Sequence, residues 1–185
     1  DVNLPSEGAN TLLLFAQDLA GNATTVDVSV TADRTPPHLA IVSPGEGAVV
    51  TNLPFTVQGR VVDLTSVGVA VNGASADVAG GEWSASINAW PDGAGTLTVT
   101  ATDAAGNRTT LTEPFVLDTT PPVVTVLEPM PETSTSVGEV TVSGTVDEVT
   151  LQSLVVNGIP ATLAGAGVSR TFQAGGAQAF APRTS

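Results

Sequence analysis

The sequence predicts an all-β chain of immunoglobulin-like, two-sheet sandwiches set in a linear array, with an 85-residue period. Three observations carry that expectation. Matching segments recur at one constant offset. Apolar and polar residues alternate, so every second side chain points to the same face, as in half-buried strands. No segment sustains the 3.6-residue apolar period of a packed helix.

The offset organises everything else. Thr96 to Asn107 reads TLTVTATDAAGN, and 85 positions earlier Thr11 to Asn22 reads TLLLFAQDLAGN. Asp33-Arg34-Thr35-Pro36-Pro37 recurs at the same distance as Asp118-Thr119-Thr120-Pro121-Pro122. Val57-Gln58-Gly59 matches Val142-Ser143-Gly144, and Val71-Asn72-Gly73 matches Val156-Asn157-Gly158. A single register implies no insertion or deletion between the copies. The Asp-x-Thr-Pro-Pro segments then mark boundaries. Residues 1–34 are the closing strands of a partial unit, 35–118 a complete unit, and 119–172 the opening part of a further one. Residues 173–185 depart from the pattern as an irregular tail. Paired prolines favour an extended linker that limits swing between neighbours.

Seven strands are expected in the complete unit. His38 to Pro44 is the first, with Leu39 and Ile41 inward. Pro54 to Val62 follows, with Phe55, Val57, Gly59 and Val61 inward. Ser66 to Val71 turns Val67, Val69 and Val71 inward and ends at Asn72-Gly73, a tight-turn signal. Ser75 to Val78 is a short fourth strand. Glu82 to Ile87 places Trp83, Ala85 and Ile87 in the core. Thr96 to Thr102 points Leu97, Val99 and Ala101 inward and its threonines outward. Arg108 to Leu117 contributes Leu111 and Phe115. Seven short antiparallel strands within one such period fit an immunoglobulin-like sandwich, although other all-β topologies share the pattern.

Composition narrows the function. The absence of cysteine excludes disulfides and thiolate metal sites. A net charge of −13, with five cationic side chains against 18 carboxylates, argues against nucleic acid as a partner. The same acidity suits solubility or the binding of hard cations. No apolar run approaches the roughly 18 residues of a membrane-spanning helix, so no membrane insertion is expected in this segment. No signal-peptide pattern opens at Asp1, as expected for a chain that starts inside a unit.

Asp103-Ala104-Ala105-Gly106-Asn107, followed by Leu117-Asp118-Thr119-Thr120-Pro121-Pro122, resembles the bacterial Ig-like tandem repeats of surface adhesins and secreted proteins. Accessory domains of secreted glycoside hydrolases belong to the same class. The resemblance covers residues 1–172. It implies an extracellular or bacterial cell-surface location, and in some adhesins of this kind calcium stiffens the domain junctions.

In such a sandwich three segments share one pole: the linker before the first strand, the loop after the second, and the loop after the sixth. That places Asp33, Asp63 and Asp103 together, with Asn107 offering an amide oxygen. Calcium takes six to eight oxygen ligands of this type. The next junction offers Asp118 with Asp147 and Glu148, and the first partial unit holds Asp18 and Asn22 at the corresponding positions. The alternative is turn chemistry alone. Asp-x-x-Gly-Asn makes a good hairpin, its Asp accepting backbone hydrogen bonds and its Gly taking positive φ. Arg34 and Arg108 would then neutralise the pole.

The remaining candidates are few. His38 is the only histidine, so neither a Ser–His triad nor a histidine metal cluster is supported, and no enzyme is expected. Trp90, at the corner before Pro91-Asp92-Gly93, is a candidate exposed platform for carbohydrate. Leu13 and Phe15 point outward by parity, where the complete unit has Thr98 and Thr100. An outward apolar pair signals either a covered interface or a local packing variation.

The partial units fit together: Asp1 aligns with Ser86 and Phe172 with Ile87. Either the chain is a window of a longer array, or copies complete one another's sandwiches head to tail as a filament. The expected function is a structural spacer or stalk segment of a bacterial surface adhesin or extracellular filament, partnered by neighbouring repeats or copies of itself. The alternative is an accessory, carbohydrate-binding module of a secreted polysaccharide-active enzyme.

Overall fold

The computed structural model describes residues 1–136, 139–165 and 168–175, and every regular element among them is a strand. The chain divides into two compact units. The first comprises Asp1–Trp90 with Ala94–Val116, and the second Pro91–Gly93 with the chain from Leu117 onward.

The first unit opens with a hairpin of β1 (Gly8–Gln17) and β2 (Ala23–Ala32). Then follow β3 (His38–Ser43), β4 (Ala48–Val50), β5 (Phe55–Val62), β6 (Val67–Val71) and β7 (Ala74–Ser75). Next come β8 (Asp77–Ala79), β9 (Glu82–Ile87), β10 (Gly93–Asp103) and β11 (Arg108–Leu117). One sheet has the order β3-β5-β9-β8 and the other β4-β11-β10-β6-β7. Alternation sends Leu39, Val57, Val61, Val69, Val71, Trp83, Leu97, Val99, Ala101 and Phe115 into the space between them, where all are buried. Phe115 meets Phe55 at 5.4 Å and Trp90 at 5.2 Å between ring centroids. The indole of Trp83 lies against Gly59. A Cβ at Gly59 would come within 2.0 Å of the Ala40 carbonyl oxygen and 2.6 Å of the Trp83 ring, so only glycine fits.

The sandwich differs from the seven-strand expectation in two places. After the cis Ser43–Pro44 bond the chain crosses to the other sheet and pairs as β4 with β11. The expected fourth strand splits into β7 and β8, which lie on different sheets. Such short elements are too brief to show a period of two.

The second unit contains β12 (Val123–Glu128), β13 (Val142–Asp147), β14 (Val155–Val156), β15 (Ile159–Pro160), β16 (Thr162–Ala164) and β17 (Ser169–Ala174). They form a sheet of order β12-β13-β17-β16 and the pair β14-β15. Leu39 faces Val61 and Ile41 faces Gly59; one period later Val124 faces Val146 and Val126 faces Gly144. Even the irregularities after Ile41 and Val126 coincide at that offset.

The uninterrupted register fails at β17. Gly59 faces Trp83, but Gly144 faces Phe172; Val57 faces Ala85, but Val142 faces Ala174. Phe172 therefore takes the place of Trp83, not of Ile87 as the constant offset implied. The physical reason is the ring. A Cβ at Gly144 would meet Phe172 at 2.8 Å, so this glycine makes room for an aromatic just as Gly59 does. Val168, which the constant offset would have put there, is 53% exposed. The chain accommodates the slip between β16 and β17, where Ala164 pairs with Thr171 while Ala79 pairs with Glu82. Strand β17 runs to Ala174, into the segment read as an irregular tail, and residues 176–185 lie outside the described residues.

Candidate functional site

The first carboxylate pole forms where three turns of the first unit converge. Asp33 opens the linker after β2, Asp63 follows β5, and Asp103 ends β10. One carboxylate oxygen from each lies within 4.8 Å of the other two. Asp103 is buried, while Asp33 and Asp63 are less so.

Thr65 sits among them. Its Oγ1 lies 2.8 Å from Asp33 Oδ2 and 3.0 Å from Asp63 Oδ2. A hydroxyl has one proton, so it can donate to only one of these carboxylates at a time. Asp103 is served differently. The Asn107 amide N–H donates to its Oδ1 at 2.8 Å and the Asn107 side-chain Nδ2 to its Oδ2 at 2.8 Å. Burial pushes the Asp103 carboxyl up, but the bonds from Asn107 and from the Gly106 and Ala105 backbone outweigh it and hold it below the usual aspartate range. Asn107 Nδ2 also reaches the main-chain oxygen of Asp33 at 3.1 Å, tying the linker to the β10–β11 turn.

Two expectations change here. Asn107 acts as a hydrogen-bond donor to the pole, where an amide-oxygen ligand had been foreseen. Arg34 does not neutralise it, because its Nη1 lies 3.3 Å from Glu7 Oε2 and its Nη2 donates to the Leu4 carbonyl oxygen at 2.8 Å. Asp33, Asp63 and Asp103 bring three carboxylates together, the oxygen donors that a hard cation takes, and are the residues that could hold one.

At the second linker Asp118, Glu148 and Thr150 take the positions of Asp33, Asp63 and Thr65. Thr150 Oγ1 donates to Asp118 Oδ2, and the Thr150 N–H donates to Glu148 Oε1 at 2.9 Å. Glu148 is buried, whereas Asp147, at the end of β13, is exposed and belongs to no such contact among the described residues. Asp118 Oδ1 is buried with no hydrogen-bond partner among the described residues.

Sequence reasoning missed a second tie on each linker. Glu7 Oε1 accepts from the Arg34 N–H at 2.7 Å and from Thr35 Oγ1 at 3.1 Å. Asp92 Oδ1 accepts from the Thr119 N–H at 3.2 Å and from its Oγ1 at 2.9 Å, and Asp92 Oδ2 accepts from Thr120 Oγ1 at 3.3 Å. The signal was present: Glu7 and Asp92 are acidic residues at the repeat offset from one another.

The other candidates resolve plainly. Trp90 is half-buried, set edge-on to Phe115, with its Nε1 2.7 Å from where a Cβ on Gly95 would lie. It is a corner of the core, not an exposed platform. Leu13 and Phe15 are 68% and 64% exposed, and Leu14 between them is exposed as well, so exposure does not single out one face of β1. No helix among the described residues is long and apolar enough to cross a membrane.

Comparison with known proteins agrees with this architecture. The sequence model of the bacterial Ig-like domain (group 3) matches residues 79–181, more than half of the chain, and the chain belongs to that family. Residues 37–119 also match the model of glucodextranase, domain B. A stretch of 112 residues, 60% of the chain, is 35% identical to Bacillopeptidase F of Bacillus subtilis (strain 168). The chain spans only 8% of that protein's length.

Proposed function

We propose that this chain is a spacer segment of an exported bacterial protein, a surface adhesin, stalk or extracellular filament in which Ig-like units repeat in line. In this reading the units hold other parts of the protein at a distance and perform no catalysis. The observation that carries it is the treatment of the two Asp-x-Thr-Pro-Pro linkers. At each, an aspartate is bonded by a threonine hydroxyl (Asp33 by Thr65, Asp118 by Thr150) and a second carboxylate (Glu7, Asp92) holds the linker backbone. A flexible tether would not need such anchoring. We further propose that calcium at the poles stiffens the junctions, with Asp33, Asp63 and Asp103 at the first and Asp118 and Glu148 at the second.

Small-angle scattering on arrays of increasing numbers of residues 35–118 tests both parts. The maximum dimension should grow by a constant step per unit, and adding calcium should lengthen and stiffen the array unless Asp63 is changed to Asn. Arrays that collapse into compact particles would contradict the spacer reading. Growth indifferent to both calcium and chelator would contradict the cation. The accessory-module alternative predicts glucan binding that Trp90→Ala removes; the half-buried setting of Trp90 speaks against it.

A further inference from the structure

The sandwich of the first unit is entered through β3 and β4 and left through β11, and the entry segment runs beside the exit strand. Three bonds show how the two keep step. Asn107 Nδ2 donates to the Asp33 carbonyl oxygen at 3.1 Å, and Thr109 Oγ1 donates to the Pro37 carbonyl oxygen at 2.6 Å. Further along, the Gly47 N–H donates to the Pro114 carbonyl oxygen at 2.8 Å. As the entry segment advances from Asp33 to Gly47, its partner advances from Asn107 to Pro114. The two therefore run in the same direction, and β4 adds to β11 as a parallel edge strand.

Direction decides how a pull along the chain is borne. In a parallel pair the start of one strand and the end of the other lie at opposite ends. Drawing those two points apart slides the strands along each other, so their slanted bonds are strained together. An antiparallel pair drawn the same way would open from one end, one bond at a time. Strand β3 cannot pass this load to β11, because it pairs with β5 in the other sheet. Among the described residues, β4 is the strand of the entry segment that pairs with β11. The crossing of the chain from one sheet to the other after β3 is what creates that contact.

We infer that the short pair β4–β11 is the force-bearing contact of this unit. A pull along the chain loads it in shear, and the core opens only after β4 has slid off β11. Gly47 starts the contact. Its φ of 68° is one that glycine adopts without a side-chain clash, and it turns the Gly47 N–H onto β11. Successive N–H groups along a strand point to opposite sides, so Val49 presents its N–H to β11 as Gly47 does. The Val49 side chain is 52% exposed, so this contact relies on main-chain bonds more than on core packing. The inference goes beyond the spacer reading. It concerns a single unit and holds whatever that unit is part of, so either can fail without the other.

The chain has no cysteine, so pulling handles can be attached at chosen points of the full-length protein. Pro36→Cys with Pro121→Cys puts them at exposed positions before β3 and after β11, so that only this sandwich is stretched. Val49→Pro removes a main-chain donor from β4. It should raise the unfolding rate at fixed force at least roughly tenfold, since forced unfolding follows the bonds that are loaded. Val78→Pro, on the edge strand β8 of the other sheet, should leave that rate nearly unchanged, and circular dichroism checks that both variants fold. A second measurement needs no change in β4. Moving the second handle to Arg108→Cys, at the start of β11, turns sliding into peeling and should speed unfolding at the same force by a similar factor. Equal rates for the two handle placements would overturn the inference. So would a Val49→Pro effect no larger than that of Val78→Pro.

Discussion

Asp103 carries the pole of the first unit through bonds that only an ionised carboxylate accepts in full. Its folded-state pKa lies below the usual 3.8, so the unfolded chain takes up this proton first as the pH falls. The stabilisation is complete above the unfolded value and is lost as the pH drops through the lower folded one. Unfolding followed by circular dichroism should show stability declining below about pH 4, where aspartates titrate. Asp103→Ala should lower the melting midpoint at neutral pH by several degrees and flatten that acid limb. An unchanged acid limb would show that the turn, not the carboxylate, matters. The neighbouring candidates show what a sequence can disclose about single residues. Asp33, Asp63 and Asp103 come together because loop order fixes the pole. Arg34 was misplaced because a long side chain chooses among carboxylates within its reach, and Glu7 held it. Asp147 was included beside Glu148 because a strand end leaves direction open; the repeat offset from Asp63 points to Glu148 alone.

At the scale of elements, the pairing of a glycine with a ring fixes how strands meet. Gly59 under Trp83 and Gly144 under Phe172 each bring the aromatic against bare backbone. Gly59→Ala forces a Cβ to 2.0 Å from the Ala40 carbonyl oxygen, which the sheet can relieve only by separating β3 from β5. Overpacking of this severity should cost about 3 kcal/mol or more in urea unfolding. A loss below about 1 kcal/mol would mean that the ring moves aside freely. Long strands such as β5, β10 and β11 were legible because sustained alternation is unambiguous. The slip at β17 was not, because a constant offset through matched motifs hides an insertion that falls after the last of them. Only the demand for an aromatic over Gly144 could have revealed it.

At the scale of the molecule, the proposed role requires that residues 35–118 form a self-contained unit able to stand in line under load. Its two sheets, its buried core and its anchored linker are consistent with that requirement. The most direct test is single-molecule pulling on tandem copies of residues 35–118. The account predicts discrete, equal unfolding events, each releasing roughly 290 Å of chain, the extended length of one repeat. A smooth extension without separate events, or steps of unequal length, would contradict it.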